Sequence, residues 1–272
     1  MFFPRDRWQE AYSTRYHGLS TFHHILSPGR LAGRRKSLTF CGRLPGGNKS
    51  NRRARSMLMD EAREQMIEQQ IRAWEVFDES VLETLRRVPR EQFVPASHRF
   101  LAFADVEISL PHGQHMLRPN VVGRLLQAVE LTGSERVLEV GAGTGFVTAC
   151  LAAGSAHVRS LEIFPDLADA ARANLEACGF RNVEVVTGDA FQDDSDSLYD
   201  VIVLTGSLPI YDTRFERRLA PGGRLFVVVG ERPIMEARLV RRTSEDGWVS
   251  ESLFETVIDP LINAPRPQEF TF

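Results

Sequence analysis

A chain of 272 residues with 43% hydrophobic and 25% charged residues has the composition of a globular protein with a sizeable core, in one large or two small domains. No run of 18 or more apolar residues occurs, which excludes a helix long enough to span a bilayer. The net charge of −3 is unevenly spread, because residues 1–56 hold 12 Lys or Arg against Asp6 and Glu10 (+10), leaving 21 basic and 34 acidic residues (−13) elsewhere.

Residues 1–56 show no sustained helical or strand period and read as a basic, disordered extension. Three readings compete: a targeting peptide, a nucleic-acid-binding arm, or upstream sequence read from a start placed too early. Met57 and Met59, standing just before the first patterned helix, favour the last. From Asp60, the residues Ala62, Met66, Ile67, Ile71 and Trp74 recur at helical spacing, with acids in the first turn where the helix dipole favours them. A second helix starts behind Asp78 as N-cap and ends at Pro89.

Residues 103–118 have little periodicity but gather Pro111, His112, Gly113, Gln114, His115 and Arg118 into a polar loop, the kind of segment that carries function. Pro119 suits the first position of the next helix, which exposes one apolar face through Val121, Val122, Leu125, Leu126 and Val129. Residues 136–145 then read as a short apolar strand ending in Gly141, Gly143 and Gly145, followed by a helix from Phe146. Glycine permits positive φ and close approach of a ligand, and a helix N-terminus beyond it offers free N–H groups.

Strands are expected at 157–162, 183–187, 199–204 and 225–229, with helices at 165–178 and 213–219 between them. That alternation implies an α/β fold with a doubly wound, mostly parallel sheet. Residues 237–243 and 249–257, flanking Glu245-Asp246-Gly247, read as an antiparallel hairpin on its edge. The expected organisation is the extension 1–56, an N-terminal helical region with the polar loop at 57–131, and the α/β region at 132–272, the last two forming one unit.

In such a sheet, ligands sit beyond the carboxyl ends of the strands, where Gly141, Glu162, Asp189 and Thr205 converge. Glu162 follows Gly141 by 21 positions, near the spacing at which an acid accepts hydrogen bonds from a ribose diol. Asp189 reads equally as an adenine ligand or a turn residue. Glu139 lies inside the first strand, where an unpaired carboxylate is costly, so it is expected to reach the cofactor or a partner. Cys41, Cys150 and Cys178 are scattered and odd in number, which suits neither disulfides nor zinc; they are expected to be core residues or bystanders in a reducing, cytoplasmic protein. The histidines show no metal spacing, so no metal is expected.

The turn Leu138-Glu139-Val140-Gly141-Ala142-Gly143-Thr144-Gly145 departs from the nicotinamide pattern by bringing the third glycine one residue early, and it resembles that of S-adenosylmethionine-dependent methyltransferases. Met66-Ile67-Glu68-Gln69-Gln70-Ile71, Val88-Pro89-Arg90-Glu91-Gln92-Phe93-Val94-Pro95 and Gly113-Gln114 followed by Pro119 narrow this to one family. With Gly188-Asp189 and Leu219-Ala220-Pro221-Gly222-Gly223, they resemble the protein-L-isoaspartate O-methyltransferases over residues 57–257. A monomer without a membrane partner is expected, and the resemblance implies methylation of the α-carboxylate of isoaspartyl residues in damaged protein, by a class I methyltransferase acting on protein or peptide. It implies S-adenosyl-L-methionine as cofactor, held by Gly141, Ala142, Gly143, Gly145, Glu162, Asp189, Ala190 and Thr205 with Glu139, and an acceptor site at His115, Leu117 and Arg118.

One departure stands at that acceptor site. The family usually reads Thr-Ile-Ser and one more residue between Gly-Gln and Pro, whereas here Leu117 occupies the serine position and His115 the threonine position. A carboxylate with a pKa of roughly 4 is already ionised near neutral pH, so the reaction needs alignment and no base. The alternatives are the same cofactor with another acceptor, a binding protein without catalysis, and nucleic-acid binding by the basic arm.

Overall fold

The computed structural model describes residues 49–267. The expectation of a disordered extension falls largely on residues 1–48, outside the described residues. Helix α1 (Lys49–Met66) begins upstream of Met57, inside the segment read as having no helical period. Lys, Arg and Ala are good helix formers without any apolar stripe to announce them. It continues through a π turn (Ile67–Ile71) and a 3-10 turn (Arg72–Trp74), and stops where Glu75 takes φ 61°.

Helix α2 (Glu79–Arg87) has the expected cap, with Asp78 accepting from the backbone N–H of Ser80. After the short α3 (Arg90–Phe93), the polar loop forms a small ladder that periodicity did not announce, β1 (Ile108–Ser109) antiparallel to β2 (His115–Met116). Helix α4 (Pro119–Val129) starts with proline at its first position, as read.

The α/β region follows as β3 (Arg136–Val140), α5 (Phe146–Ala153), β4 (His157–Glu162), α6 (Pro165–Ala177), β5 (Val183–Thr187), β6 (Tyr199–Leu208), α7 (Thr213–Arg217), β7 (Leu219–Glu231), β8 (Ile234–Ser244) and β9 (Gly247–Glu255). The sheet order is β5-β4-β3-β6-β7-β8-β9, parallel through β7 and antiparallel across β8 and β9. Residues 221–223 lie within β7, upstream of the strand expected at 225–229. Its register jumps from Leu219 to Arg224 while β6 advances only from Tyr199 to Val201, so this stretch is a bulge.

Side chains alternate across the sheet. Val137, Val201, Val203 and Phe226 join one apolar cluster with α2, α4 and α5, while Leu138, Val140, Ile202 and Leu204 join a second with Phe215. Because the chain leaves β5 at one edge and returns through β6 beside β3, the strand order reverses at the end of β3. No helix among the described residues is long and apolar enough to cross a membrane.

Candidate active site

The turn after β3 is held by backbone. Gly141 N–H and Ala142 N–H both donate to the Leu161 carbonyl, at 2.8 and 3.3 Å. Gly141 has φ +97°, and a Cβ there would stand 2.3 Å from Thr205 Oγ1, so only glycine fits. The Thr205 hydroxyl lies 2.8 Å from the Val140 carbonyl and 2.6 Å from that of Gly141, bracing the turn against β6. Glu162, buried at the end of β4, accepts from Gly143 N–H at 2.8 Å on one oxygen and from Phe164 N–H at 3.1 Å on the other. Each oxygen keeps a further lone pair for a ligand. Asp189 accepts from Phe191 N–H and from the Asn263 amide, both at 2.9 Å, which makes it a turn residue as well as a wall of the cleft.

Gly141, Gly143, Glu162, Asp189, Ala190 and Thr205 together line one open cleft. Phe164, Phe191 and Leu261 add apolar surface to it. Acid at the sheet end, exposed glycine backbone and apolar walls in one cleft are what a nucleoside-bearing ligand requires.

The polar loop closes the other side. Leu110 N–H donates to the Gln114 carbonyl at 2.8 Å around a turn in which His112 adopts φ 61°. The His112 ring stacks on Phe164 at 4.1 Å, and its Nε2 lies 2.9 Å from Asp166, which holds the Asp166 carboxyl below its usual range. His115 Nδ1 lies 2.6 Å from Asp259 Oδ2. Leu117 is buried, and its carbonyl accepts from Arg90 Nη2 at 2.8 Å.

Arg90 is 1% exposed. Its Nε donates to the Ala102 carbonyl at 3.0 Å, its guanidinium lies over the Phe146 ring at 4.7 Å, and its Nη1 has no protein partner. Burial pushes this guanidinium down to about 10. A second cavity is lined by Arg90, Met116, Thr144 and Phe146. It shares Leu110, His115, Leu117, Gly141, Gly143 and Thr205 with the first.

A family model described as protein-L-isoaspartate(D-aspartate) O-methyltransferase (PCMT) matches residues 61–264. The chain belongs to that family. It is 40% identical over 216 residues to protein-L-isoaspartate O-methyltransferase 1 of Rhodopseudomonas palustris (strain HaA2), covering 76% of this chain and 88% of that one. It is 38% identical over 204 residues to protein-L-isoaspartate O-methyltransferase 2 of Pelobacter propionicus, covering 74% and 91%. In fold it is similar to the Plasmodium falciparum beta-aspartate methyltransferase (PCMT) crystallised with S-adenosyl-L-homocysteine, with a TM-score of 0.63 and 19% identity over 73% of this chain and 97% of that one.

Within this family frame, three residues read from the sequence as site residues stand elsewhere. Glu139 lines neither cavity. It points to the opposite face of β3, fully buried, where one oxygen accepts from Thr148 and Ser160 hydroxyls at 2.5 Å each and the other has no partner. Burial raises its carboxyl to about 7 despite those two hydrogen bonds, with the nearby Glu162 charge adding to the rise. Gly145 also lines neither cavity; with φ +87° it caps α5, and a Cβ would come within 3.3 Å of the Ala171 backbone, so its demand is packing of α6. Arg118 is half-exposed at the N-cap of α4, 3.8 Å from Glu107, and lines neither cavity.

Two residues that sequence reasoning passed over take their place. Arg90 sits in the Val-Pro-Arg block, where its total burial had no local signature. Asp259 lies in the tail after β9, where Asp-Pro signals only a turn. That tail is drawn over the sheet end by Ser207, whose N–H donates to the Asp259 carbonyl and whose carbonyl accepts from Leu261 N–H.

Proposed function

We propose that this chain is an S-adenosylmethionine-dependent protein-L-isoaspartate O-methyltransferase, which methylates the α-carboxylate of isoaspartyl residues in damaged proteins. The observation that carries the reading is the pair of cavities joined at the glycine turn. One has the acid and apolar walls for a nucleoside, and the other holds a buried cation suited to an anionic acceptor. S-adenosylmethionine, when bound, supplies a methyl group on a positively charged sulfur.

In this reading Gly141, Ala142, Gly143, Glu162, Asp189, Ala190 and Thr205 hold the cofactor, with Glu162 also fixing the turn through Gly143 N–H. The acceptor oxygen is already anionic and the leaving group is a neutral thioether, so the chain's task is to align the acceptor and exclude water. Leu117 contributes an apolar wall where the family's serine would stand, which leaves the acceptor carboxylate to donors other than a hydroxyl. The enzyme is read as a monomer acting on protein or peptide in the cytoplasm. The free thiols of Cys150 and Cys178 accord with a reducing compartment.

The test is a methyl-transfer assay with matched isoaspartyl and aspartyl peptides. Transfer to the isoaspartyl peptide alone supports the reading, and equal or absent transfer with intact cofactor binding defeats it.

A further inference from the structure

Two histidines of the polar loop meet carboxylates, and their settings differ. His112 pairs with Asp166 on the outside of the loop and lines neither cavity. His115 lines both cavities, where the cofactor side and the acceptor side share a wall. Its position is fixed by the ladder pairing Ser109 with His115, and that of Asp259 by the backbone pairing to Ser207. The 2.6 Å contact between them therefore joins two anchored backbones.

An ionised carboxylate only accepts, so His115 Nδ1–H donates to Asp259 and fixes the tautomer. His115 Nε2 has no hydrogen-bond partner among the described residues. In the neutral ring that nitrogen presents a lone pair, which repels an acceptor carboxylate; in the imidazolium it presents N–H. On the loop itself Leu117 has no hydroxyl and Arg118 turns to Glu107, while Arg90 offers its unpartnered Nη1 from the adjoining cavity.

We infer that His115, oriented by Asp259, holds the acceptor carboxylate through a protonated Nε2–H, replacing the hydroxyl absent at Leu117. The inference rests on the isoaspartyl reading above and adds to it a donor whose competence depends on pH. Asp259 is a positioning residue that acts through the ring. The other charged groups around the dyad are Arg232, 3.5 Å from Asp259, with Glu107, Glu162 and Asp189 in the cleft and Arg90 in the adjoining cavity. Glu139, raised by burial to about 7 behind the cofactor half, also changes charge in the imidazole range, so an alkaline limb is assigned to His115 by its loss in His115→Gln.

The experiment uses the full chain and an N-acetylated, C-amidated peptide with one isoaspartyl residue and no histidine. Two readouts are taken across the imidazole range: peptide binding by fluorescence anisotropy in the presence of S-adenosylhomocysteine, and kcat/KM for methyl transfer. Wild type is expected to lose both by about tenfold per pH unit on the alkaline side. His115→Gln keeps a neutral N–H donor, and is expected to give weaker binding with a flat profile. Asp259→Asn removes the carboxylate that orients the ring and is expected to weaken peptide binding, unchanged binding overturning the orienting role; it is an independent reading should His115→Gln fail to fold, and melting curves check each variant.

A flat wild-type profile, a profile rising with pH, or a falling limb retained in His115→Gln overturns the inference. A rising limb would mark the neutral ring as a base for a protic acceptor. Binding that falls with pH but leads to no methyl transfer sinks the isoaspartyl activity and leaves the carboxylate grip standing. Absence of peptide binding at every pH overturns both.

Discussion

The two halves of the site are held by different means. On the cofactor half, the glycine turn is tied by short backbone contacts to Leu161, by the Thr205 hydroxyl and by the Glu162 carboxylate. On the acceptor half, residues 107–118 form a ladder of only two residue pairs and depend on long-range side chains: Arg90 beneath, Asp166 and Asp259 at the sides. The glycine turn, where positive φ and the close approach of Thr205 to Gly141 admit no side chain, tolerates little change in sequence. A loop held by distant side chains can exchange the residues it presents, and it is there that Leu117 and His115 depart from the family pattern.

Arg90 gives the hardest test of that contrast. Its removal by Arg90→Ala leaves the Ala102 and Leu117 carbonyls unpaired and empties the space over Phe146. Breaking such a buried polar cluster costs about 3–5 kcal/mol, tempered by the desolvation that Arg90 itself bears. Denaturant unfolding should show that loss, and the surviving folded protein should bind S-adenosylmethionine while losing peptide turnover. Cofactor affinity falling in step with turnover would mean the halves are not separable.

Glu139 lies behind the cofactor half, and its effect is read by pH. Its folded-state pKa, raised by burial to about 7, exceeds the ordinary 4.5. The folded protein therefore keeps a proton that the unfolded chain releases, and the stability so gained is complete below about pH 4.5 and lost as pH rises through about 7. A separation of this size corresponds to about 3 kcal/mol. Glu139→Gln should remove that dependence, so that its stability relative to wild type rises by this order between about pH 4 and pH 8. An unchanged difference across the range would mean the carboxyl is ionised throughout.

Glu162→Gln tests the cofactor half directly. The amide oxygen can accept from one of Gly143 and Phe164, while its NH2 faces the other N–H. An unsatisfied buried group costs about 1–3 kcal/mol, so cofactor affinity measured by calorimetry should fall by about 10- to 100-fold. Isoaspartyl peptide binding should change much less if the halves are held independently.

What was legible in the sequence follows the same division. The strand, glycine turn and helix start are local and occupy ten consecutive residues, and Glu162 falls at a spacing set by one strand–helix–strand repeat. The N-cap at Asp78 and the first-turn proline at Pro119 were likewise visible because a helix start is a property of one turn. The acceptor half could not be assembled that way. Asp259 lies 144 residues from His115, and Arg90 lies 27 from Leu117. Glu139 shows the limit within a strand, since only the pairing of β3 with β4 and β6 decides which face its carboxyl takes.

Leu117→Ser asks whether the acceptor half has replaced the family hydroxyl or merely lost it. The position is 8% exposed, its carbonyl stays with Arg90, and its side chain borders both cavities. Replacing the apolar side chain by a hydroxyl sacrifices burial worth about 1–3 kcal/mol, seen as a lower unfolding midpoint. If His115 already grips the carboxylate, a second donor adds one hydrogen bond of about 1 kcal/mol, and kcat/KM for an isoaspartyl peptide should rise less than about tenfold. The gain should be largest at alkaline pH, where the imidazole has lost its proton and a hydroxyl still donates. A gain of equal size at every pH would separate the two positions, and the acceptor half would then be a family site with one donor missing.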